Sequence, residues 1–467
     1  MIPLSLAEVA ALVGGRLANA DPQARVTGSV EFDSRAITPG GLFVALRGEH
    51  ADGHEYGPAA VRSGAVAVLG TREMDGVPAV LVPDALAAMA TLARTVVDRL
   101  VAAGQSGLTV IGLTGSSGKT TTKDLIAQVT SDCGPTVAPA GTFNNELGHP
   151  YTVLKAKEAT RYLVLEMGAR GLEHVRHLCQ VAPPRIGVVL NVGVAHIGEF
   201  GSVEQIAVAK RELVEELPAE GLAVLNADDP RVAAMAYASR ARVVLVGEAE
   251  TAEVRAVDVR MDARGCPSYT LVVPEGSAPV RLGLAGRHQV GNTLATAAVG
   301  REIGVPLVEL AGRLGELRPV SMRRMDVFDR ADGVTVIDDS YNANPASVAA
   351  ALHAQAAFGK DRRRVAVLGY MAELGEYERE GHAQVGRLAA TLGVDLLVVV
   401  GDNAAPVQDG AVEVANWGGK SVRVSDQEQA IALLRGELIP GDVILVKGSR
   451  YRTWAIADAL RSAEAMS

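Results

Sequence analysis

Short, unbroken apolar runs alternate with amphipathic stretches of helical length along most of this chain. In its middle part the runs are Val110-Ile111-Gly112-Leu113, Tyr162–Glu166, Ile186–Asn191, Leu222–Asn226 and Val243–Val246. Strands that are apolar at every position are buried on both faces, so the pattern predicts a parallel sheet between layers of helices. Residues 252–283 are polar and alternating, which predicts an antiparallel excursion before a helix that starts near Gln289. From near Val320 the α/β rhythm restarts with Val334–Asp338, Arg364–Leu368, Leu396–Val400 and Val443–Val446. The first part mixes strand-like pieces (Leu42–Leu46, Ala65–Leu69, Ala79–Val82) with Gly-rich turns and a helical run, Leu86–Ala102. No internal repeat and no low-complexity linker interrupts it. The expectation is an α/β protein of three domains: residues 1–107, 108–318 and 319–467.

Composition narrows the function classes. The 467 residues suffice for three domains. Aromatics are only 4% of the chain, so Ala, Val and Leu must build the core. A net charge of −9 excludes a nucleic-acid-coating protein, which needs a basic face, but permits anionic small substrates held by local donors. Cys133, Cys179 and Cys266 have neither zinc spacing nor a disulfide framework, which predicts a reducing cytoplasm. The N-terminus does not read as a signal peptide, and the apolar runs are too short to span a bilayer. No membrane and no nucleic-acid partner are expected.

The sharpest local signal is Gly112-Leu113-Thr114-Gly115-Ser116-Ser117-Gly118-Lys119-Thr120, after a strand and before a helix-compatible run, Thr121–Val129. Small residues there let backbone N–H groups close around phosphate oxygens at the positive end of a helix dipole. Lys119 would reach the outer phosphates of ATP, and the Thr120 hydroxyl would coordinate Mg²⁺. Leu113 replaces the first glycine of the usual spacing. A phosphate loop alone does not name a reaction, because kinases, motors and ligases all use it.

Two further residues sit where a parallel sheet gathers ligands. Glu166 closes the strand Tyr162–Glu166, and His196 lies just beyond Ile186–Asn191. A carboxylate in a βα loop or a hydrogen-bonded loop histidine would be the plainer reading of each alone. With Thr120, they suit a second divalent cation.

With these residues in hand, the chain resembles the Mur ligase family of cell-wall peptidoglycan synthesis, over essentially its whole length. Phe32-Asp33-Ser34-Arg35, Gly40–Gly48 and Asp52-Gly53-His54 are similar to the family's UDP-binding domain. Gly141–Gly148 looks like its asparagine loop, and Gly286–Asn292 like the segment on the nucleotide side. Asp338-Asp339-Ser340-Tyr341-Asn342-Ala343-Asn344-Pro345 resembles the form carried by the dipeptide-adding member; Met371–Glu376 and Leu445–Arg450 add two more matches. One departure is Gly369-Tyr370-Met371, where the family reads Gly-Asp-Met, so that aspartate's role is in question here.

The resemblance implies a small N-terminal α/β domain, a central P-loop ATPase-like domain and a Rossmann-like C-terminal domain, acting as a monomer. It implies that ATP phosphorylates the carboxylate of UDP-N-acetylmuramoyl-tripeptide, and that the amine of D-alanyl-D-alanine attacks the acyl phosphate. Such a site must neutralise a triphosphate, a carboxylate and an oxyanion together. Carried onto this chain, Thr114, Gly115, Ser116, Ser117, Gly118, Lys119, Thr120, Thr121, Asn292, Arg323 and Asp339 bind ATP. Ser34, Arg35, Leu46, Gly48, Asn144, Asn145, Tyr341, Asn342 and Lys447 bind the other substrates. Lys119, His196, Lys210 and Arg323 are catalytic, and Thr120, Glu166, His196 and Lys210 hold one or two Mg²⁺ ions. Arg324 competes with Arg323 as the family's linker arginine. Lys210 reads from periodicity as an exposed lysine on the helix around Ile206–Leu213; the resemblance makes it the lysine carried as a carbamate.

Other readings remain at this stage. They are a sister amide ligase or folylpolyglutamate synthase, a P-loop small-molecule kinase, and a nucleotide-binding regulatory subunit.

Overall fold

Three large sheets follow one another along the chain, beside a two-stranded antiparallel pair of Leu4–Ser5 with Arg25–Val26, in a computed structural model that describes residues 1–49, 51–103, 107–358, 362–449 and 452–462. The first has five strands, in the spatial order Arg16–Ala18, Ala79–Leu81, Ala65–Gly70, Gly41–Val44, Val30–Glu31. The helix Ala85–Ala102 closes this unit; Asp84 starts it by accepting the N–H groups of Leu86 and Ala87. Its apolar side (Met89, Leu92, Val96) belongs to a core that also contains Val153, Leu163 and Leu165 of the central part. The first two units therefore pack through a shared apolar layer and not merely through a linker.

The central sheet has nine strands: Gly276–Arg281, Pro267–Val273, Val254–Met261, Arg242–Gly247, Leu222–Asn226, Ile186–Val189, Thr109–Thr114, Tyr162–Glu166 and Thr136–Val137. Its core strands pair in parallel, and the segment expected as an antiparallel excursion forms three strands that extend the same sheet. Alternate residues of the apolar strands feed two cores. Ile111 and Leu113 pack with the helices Lys119–Ser131 and Gln289–Glu302, while Val110 and Leu163 face the helix Ala85–Ala102. The chain leaves Thr109–Thr114 with neighbours on both sides, Tyr162–Glu166 and Ile186–Val189. That is a switch point, and the strand C-termini there form a crevice.

The third sheet runs Asp326–Asp329, Thr335–Asp338, Val443–Lys447, Arg364–Gly369, Leu396–Val400, Lys420–Val424, with only the first strand antiparallel. The short edge strands Thr136–Val137, Asp326–Asp329 and Lys420–Val424 were not among the expected elements. They are short or polar and carry no apolar run. After Asp338 the chain turns into the helix Pro345–Ala357, which Asn344 caps by accepting the Ser347 N–H. Proline in the first turn costs no hydrogen bond there. No helix among the described residues is long and apolar enough to cross a membrane, and all three cysteines are free.

Candidate active site

The phosphate loop is fixed from beneath by its neighbours in the sheet. The Thr114 hydroxyl donates to the Met167 carbonyl at 2.9 Å, and the Ser117 N–H donates to Asn191 Oδ1 at 2.9 Å. Ser116 Oγ accepts from the Gly193 N–H at 2.8 Å. Gly118 starts the helix with φ +80°, and a Cβ on it would meet Asn292 Oδ1 at 2.8 Å, so glycine is required on both counts. Lys119 folds back to donate to the Gly115 carbonyl at 2.7 Å. Burial pulls the Lys119 ammonium below its ordinary range, Glu166 opposes this, and Arg324 adds to it.

Glu166 is buried at the strand end. One oxygen accepts the Thr120 hydroxyl at 2.9 Å and the other accepts the Asn144 amide at 2.7 Å. The asparagine loop is thereby fastened to the phosphate loop through a single carboxylate. Asn145 does different work: its Oδ1 accepts the Gly148 N–H at 2.9 Å and shapes the loop's exit. Next in the chain, the Tyr151 hydroxyl donates to Glu31 at 2.7 Å and its ring packs against Phe32 and Phe143. These contacts tie the first domain to the asparagine loop.

From the third domain, Asp339 and Lys447 form a buried ion pair, and Lys447 also donates to the Asn342 carbonyl at 3.0 Å. Burial lowers the Lys447 ammonium and Asp339 opposes it. Glu373 reaches across to His196, Oε2 to Nδ1 at 2.6 Å. A cavity of about 1230 Å³ lies between the domains. Its lining includes Ser116, Ser117, Gly118, Lys119, Thr120 and Thr121 of the loop, with Asn144, Asn145, Glu166, His196 and Asn292. Asp339, Tyr341, Asn342 and Lys447 close it from the other side.

Other sequence candidates fall outside that lining. Thr114 and Gly115 sit below the loop. Lys210 is buried, 4% exposed, on the inner side of the helix Val203–Glu215 rather than on its solvent face. Burial and then the nearby Lys119 charge bring its amine down to about 7. Ser34, Arg35, Leu46 and Gly48 belong to the first domain and do not reach the cavity. Arg35 is exposed and paired with Asp33. His54 is buried between Asp52 and the Thr71 N–H, a structural linkage. Arg450, at the end of one matched stretch, lies outside the described residues.

The two linker arginines face different ways. Arg323, expected at the nucleotide, points away and binds Asp458 with both guanidinium nitrogens, at 3.0 and 2.8 Å. Arg324 lines the cavity instead, with Nη2 3.3 Å from Thr120 Oγ1 and its guanidinium 4.2 Å over the Tyr341 ring. Periodicity carries no signal for which of two adjacent arginines faces inward. Glu373 was also missed as a site residue, because its partner His196 belongs to another domain. Among the described residues no cluster of three or more His, Cys, Asp or Glu forms a ready metal cage.

Family comparison decides what this architecture is. The profile described as Mur ligase family, catalytic domain, matches residues 27–105; the Mur ligase middle domain matches 113–300; the Mur ligase, glutamate ligase domain, matches 323–450. The chain belongs to the Mur ligase family. A Mycobacterium bovis relative named UDP-N-acetylmuramoyl-tripeptide–D-alanyl-D-alanine ligase is 49% identical, over 98% of each chain. The Escherichia coli protein of the same name is 34% identical over 96% of each. A crystal structure of MurF from Acinetobacter baumannii superposes with a TM-score of 0.87 at 28% identity, covering 98% of this Mur ligase and 99% of that chain. MurF ligase from Thermotoga maritima, solved in complex with ADP, gives 0.79 at 28% identity, over 92% and 97%. The three-domain arrangement is thus that of MurF structures.

Proposed function

We propose that this Mur ligase joins D-alanyl-D-alanine to UDP-N-acetylmuramoyl-tripeptide at the expense of ATP, forming an acyl phosphate on the way, as a monomer in the cytoplasm. The observation that carries this reading is one cavity shared by the phosphate loop, the asparagine loop and the Asp339–Asn342 turn. The name and 49% identity of the mycobacterial relative support it.

The Ser116–Thr121 backbone and Lys119 hold the phosphates at a helix N-terminus. Arg324 is the linker arginine of this chain: it faces the loop, and its Nε is buried without a partner among the described residues. Asp339 and Asn292 orient the nucleoside. Asn144 positions the tripeptide end, while Tyr341, Asn342 and Lys447 present the incoming amine. Thr120, Glu166 and His196 offer the hard oxygen and imidazole donors that fit Mg²⁺. Carbamylated Lys210 would add carboxylate-like oxygens to that set. Bound there, one or two Mg²⁺ ions supply charge neutralisation. Fixed cations around the cavity then stabilise the oxyanion that forms when the amine attacks.

Mass spectrometry of products from ATP, UDP-N-acetylmuramoyl-tripeptide and D-alanyl-D-alanine tests the reading, alongside phosphate release. A pentapeptide product with phosphate release dependent on the dipeptide supports it. Dipeptide-independent turnover to a stable phosphorylated product would indicate a kinase instead.

A further inference from the structure

Arg324 enters the site from an unusual stretch of backbone. Both its neighbours adopt the left-handed conformation, Arg323 with φ 59° and Met325 with φ 53°. Neither is glycine, and such residues persist only where the surroundings hold them. The holding contacts are visible. Met325 donates its N–H to Asp339 Oδ1 at 3.1 Å, and the Arg323 carbonyl accepts the Tyr341 N–H at 3.2 Å. The Arg323 side chain is clasped by Asp458 on the last helix, Trp454–Arg461, with Asp338 3.9 Å away. Its guanidinium lies 4.8 Å over the Trp454 ring, and the Trp454 indole N–H donates to the Ser340 carbonyl at 2.8 Å. Tyr341 stands between Trp454, at 5.8 Å, and Arg324, at 4.2 Å.

Arg323, Trp454, Tyr341 and Arg324 thus form a ladder, two rings in contact between two guanidinium groups, that leads from Asp458 at the surface to Thr120 at the phosphate loop. Asp458 lies outside the cavity lining, whereas Trp454, Tyr341 and Arg324 are part of it. We propose that Arg323 and Asp458, both outside the cavity lining, are positioning residues that set Arg324 for ATP, so that Asp458 on the C-terminal helix tunes nucleotide affinity from a distance. The inference rests on the proposed role of Arg324.

A double-mutant cycle on the full-length enzyme tests it, with steady-state KM for each substrate and the thermal midpoint as readouts. Asp458→Ala should raise the KM for ATP about three- to fivefold, the upper scale of a partly exposed ion pair. The KM for the UDP-substrate and the melting temperature should stay unchanged, because the pair is partly solvent-exposed. Asp458→Glu should recover most of the loss. In an Arg324→Ala background, Asp458→Ala should have no further effect, since the clasp would then have nothing to position. Multiplying effects in the double variant would overturn the proposal. So would a wild-type ATP KM in Asp458→Ala beside an impaired Arg324→Ala. If Arg324→Ala itself left the ATP KM unmoved, the ATP role of Arg324 would fall first and take the clasp with it.

Discussion

Gly198 of the central domain and Gly375 of the third domain meet backbone to backbone: a Cβ on Gly198 would lie 2.7 Å from the Gly375 nitrogen. The Gly198 N–H donates to the Glu373 carbonyl at 3.1 Å, beside the contact of His196 Nδ1 with Glu373 Oε2. A side chain here cannot be accommodated without separating the domains. Gly198→Val should therefore lower kcat about 100-fold, the cost of misplacing reacting groups by roughly an ångström. Both glycines are exposed, so the melting temperature should change little. Small-angle scattering with all substrates bound should give a larger radius of gyration than wild type. Native kcat in the valine variant would show that this contact plays no part in the working state.

How much of this was legible in the sequence depends on how local each feature is. The phosphate loop lies within nine consecutive residues, and Glu166 and His196 follow apolar strands, so placing them required only strand ends. The nine-stranded sheet was legible where strands are apolar throughout, and not at Thr136–Val137, whose two half-buried residues make no run. Arg323 and Arg324 were not separable, because the choice depends on two left-handed backbone positions that neither residue type advertises. Lys210 read as exposed from periodicity because its helix has a charged neighbour, Arg211, on the next position. The helix nonetheless turns Ala209, Lys210, Leu213 and Val214 inward together.

Tyr370, in place of the family's aspartate, has its side chain outside the cavity. Its hydroxyl donates to Glu378 Oε2 at 2.6 Å, its ring stacks on His382 at 5.3 Å, and the Arg452 guanidinium lies 5.0 Å over it. Tyr370→Asp would place a carboxylate beside Glu378 and delete the stack. It should cost about 2–3 kcal/mol of stability by denaturant titration and leave the KM for D-alanyl-D-alanine no lower. Tyr370→Phe should retain near-native kcat. A lowered dipeptide KM in Tyr370→Asp would restore the aspartate's role as a substrate contact.

His382 makes acid stability testable. Its Nε2 accepts the Met371 N–H at 2.8 Å, so Nδ1 carries the proton and donates to the Glu378 carbonyl at 2.6 Å. Burial depresses the imidazole below its ordinary value, and the Glu378 carbonyl only partly opposes this. Below the unfolded value of about 6.5, the unfolded chain takes up a proton that the folded state refuses, so stability falls as pH falls. His382→Gln, which stays neutral, should be less stable at neutral pH but lose less between about pH 7.5 and about pH 5.5. Parallel losses in both proteins, followed by melting curves, would remove His382 as a cause.

Lys210 poses the question with the largest consequence for activity. Its amine is buried, and burial with the nearby Lys119 charge brings it down to about 7. A substantial neutral fraction is therefore available near neutral pH, and the neutral amine is the form that adds CO₂. A carbamate formed there would exchange a cation beside Lys119 for an anion and so relieve the repulsion between the two lysines. Lys210→Ala should be nearly inactive yet folded, because the substitution also removes an uncomfortable buried charge. Acetate or another short carboxylate should restore part of the activity by occupying the space the carbamate would fill, and sodium chloride at equal ionic strength should not. Enzyme equilibrated with ¹³C-labelled bicarbonate should show a carbamate carbon signal that is missing from Lys210→Ala. A fully active Lys210→Ala protein, or wild-type enzyme that turns over at full rate with no carbamate signal, would leave Lys210 as packing alone.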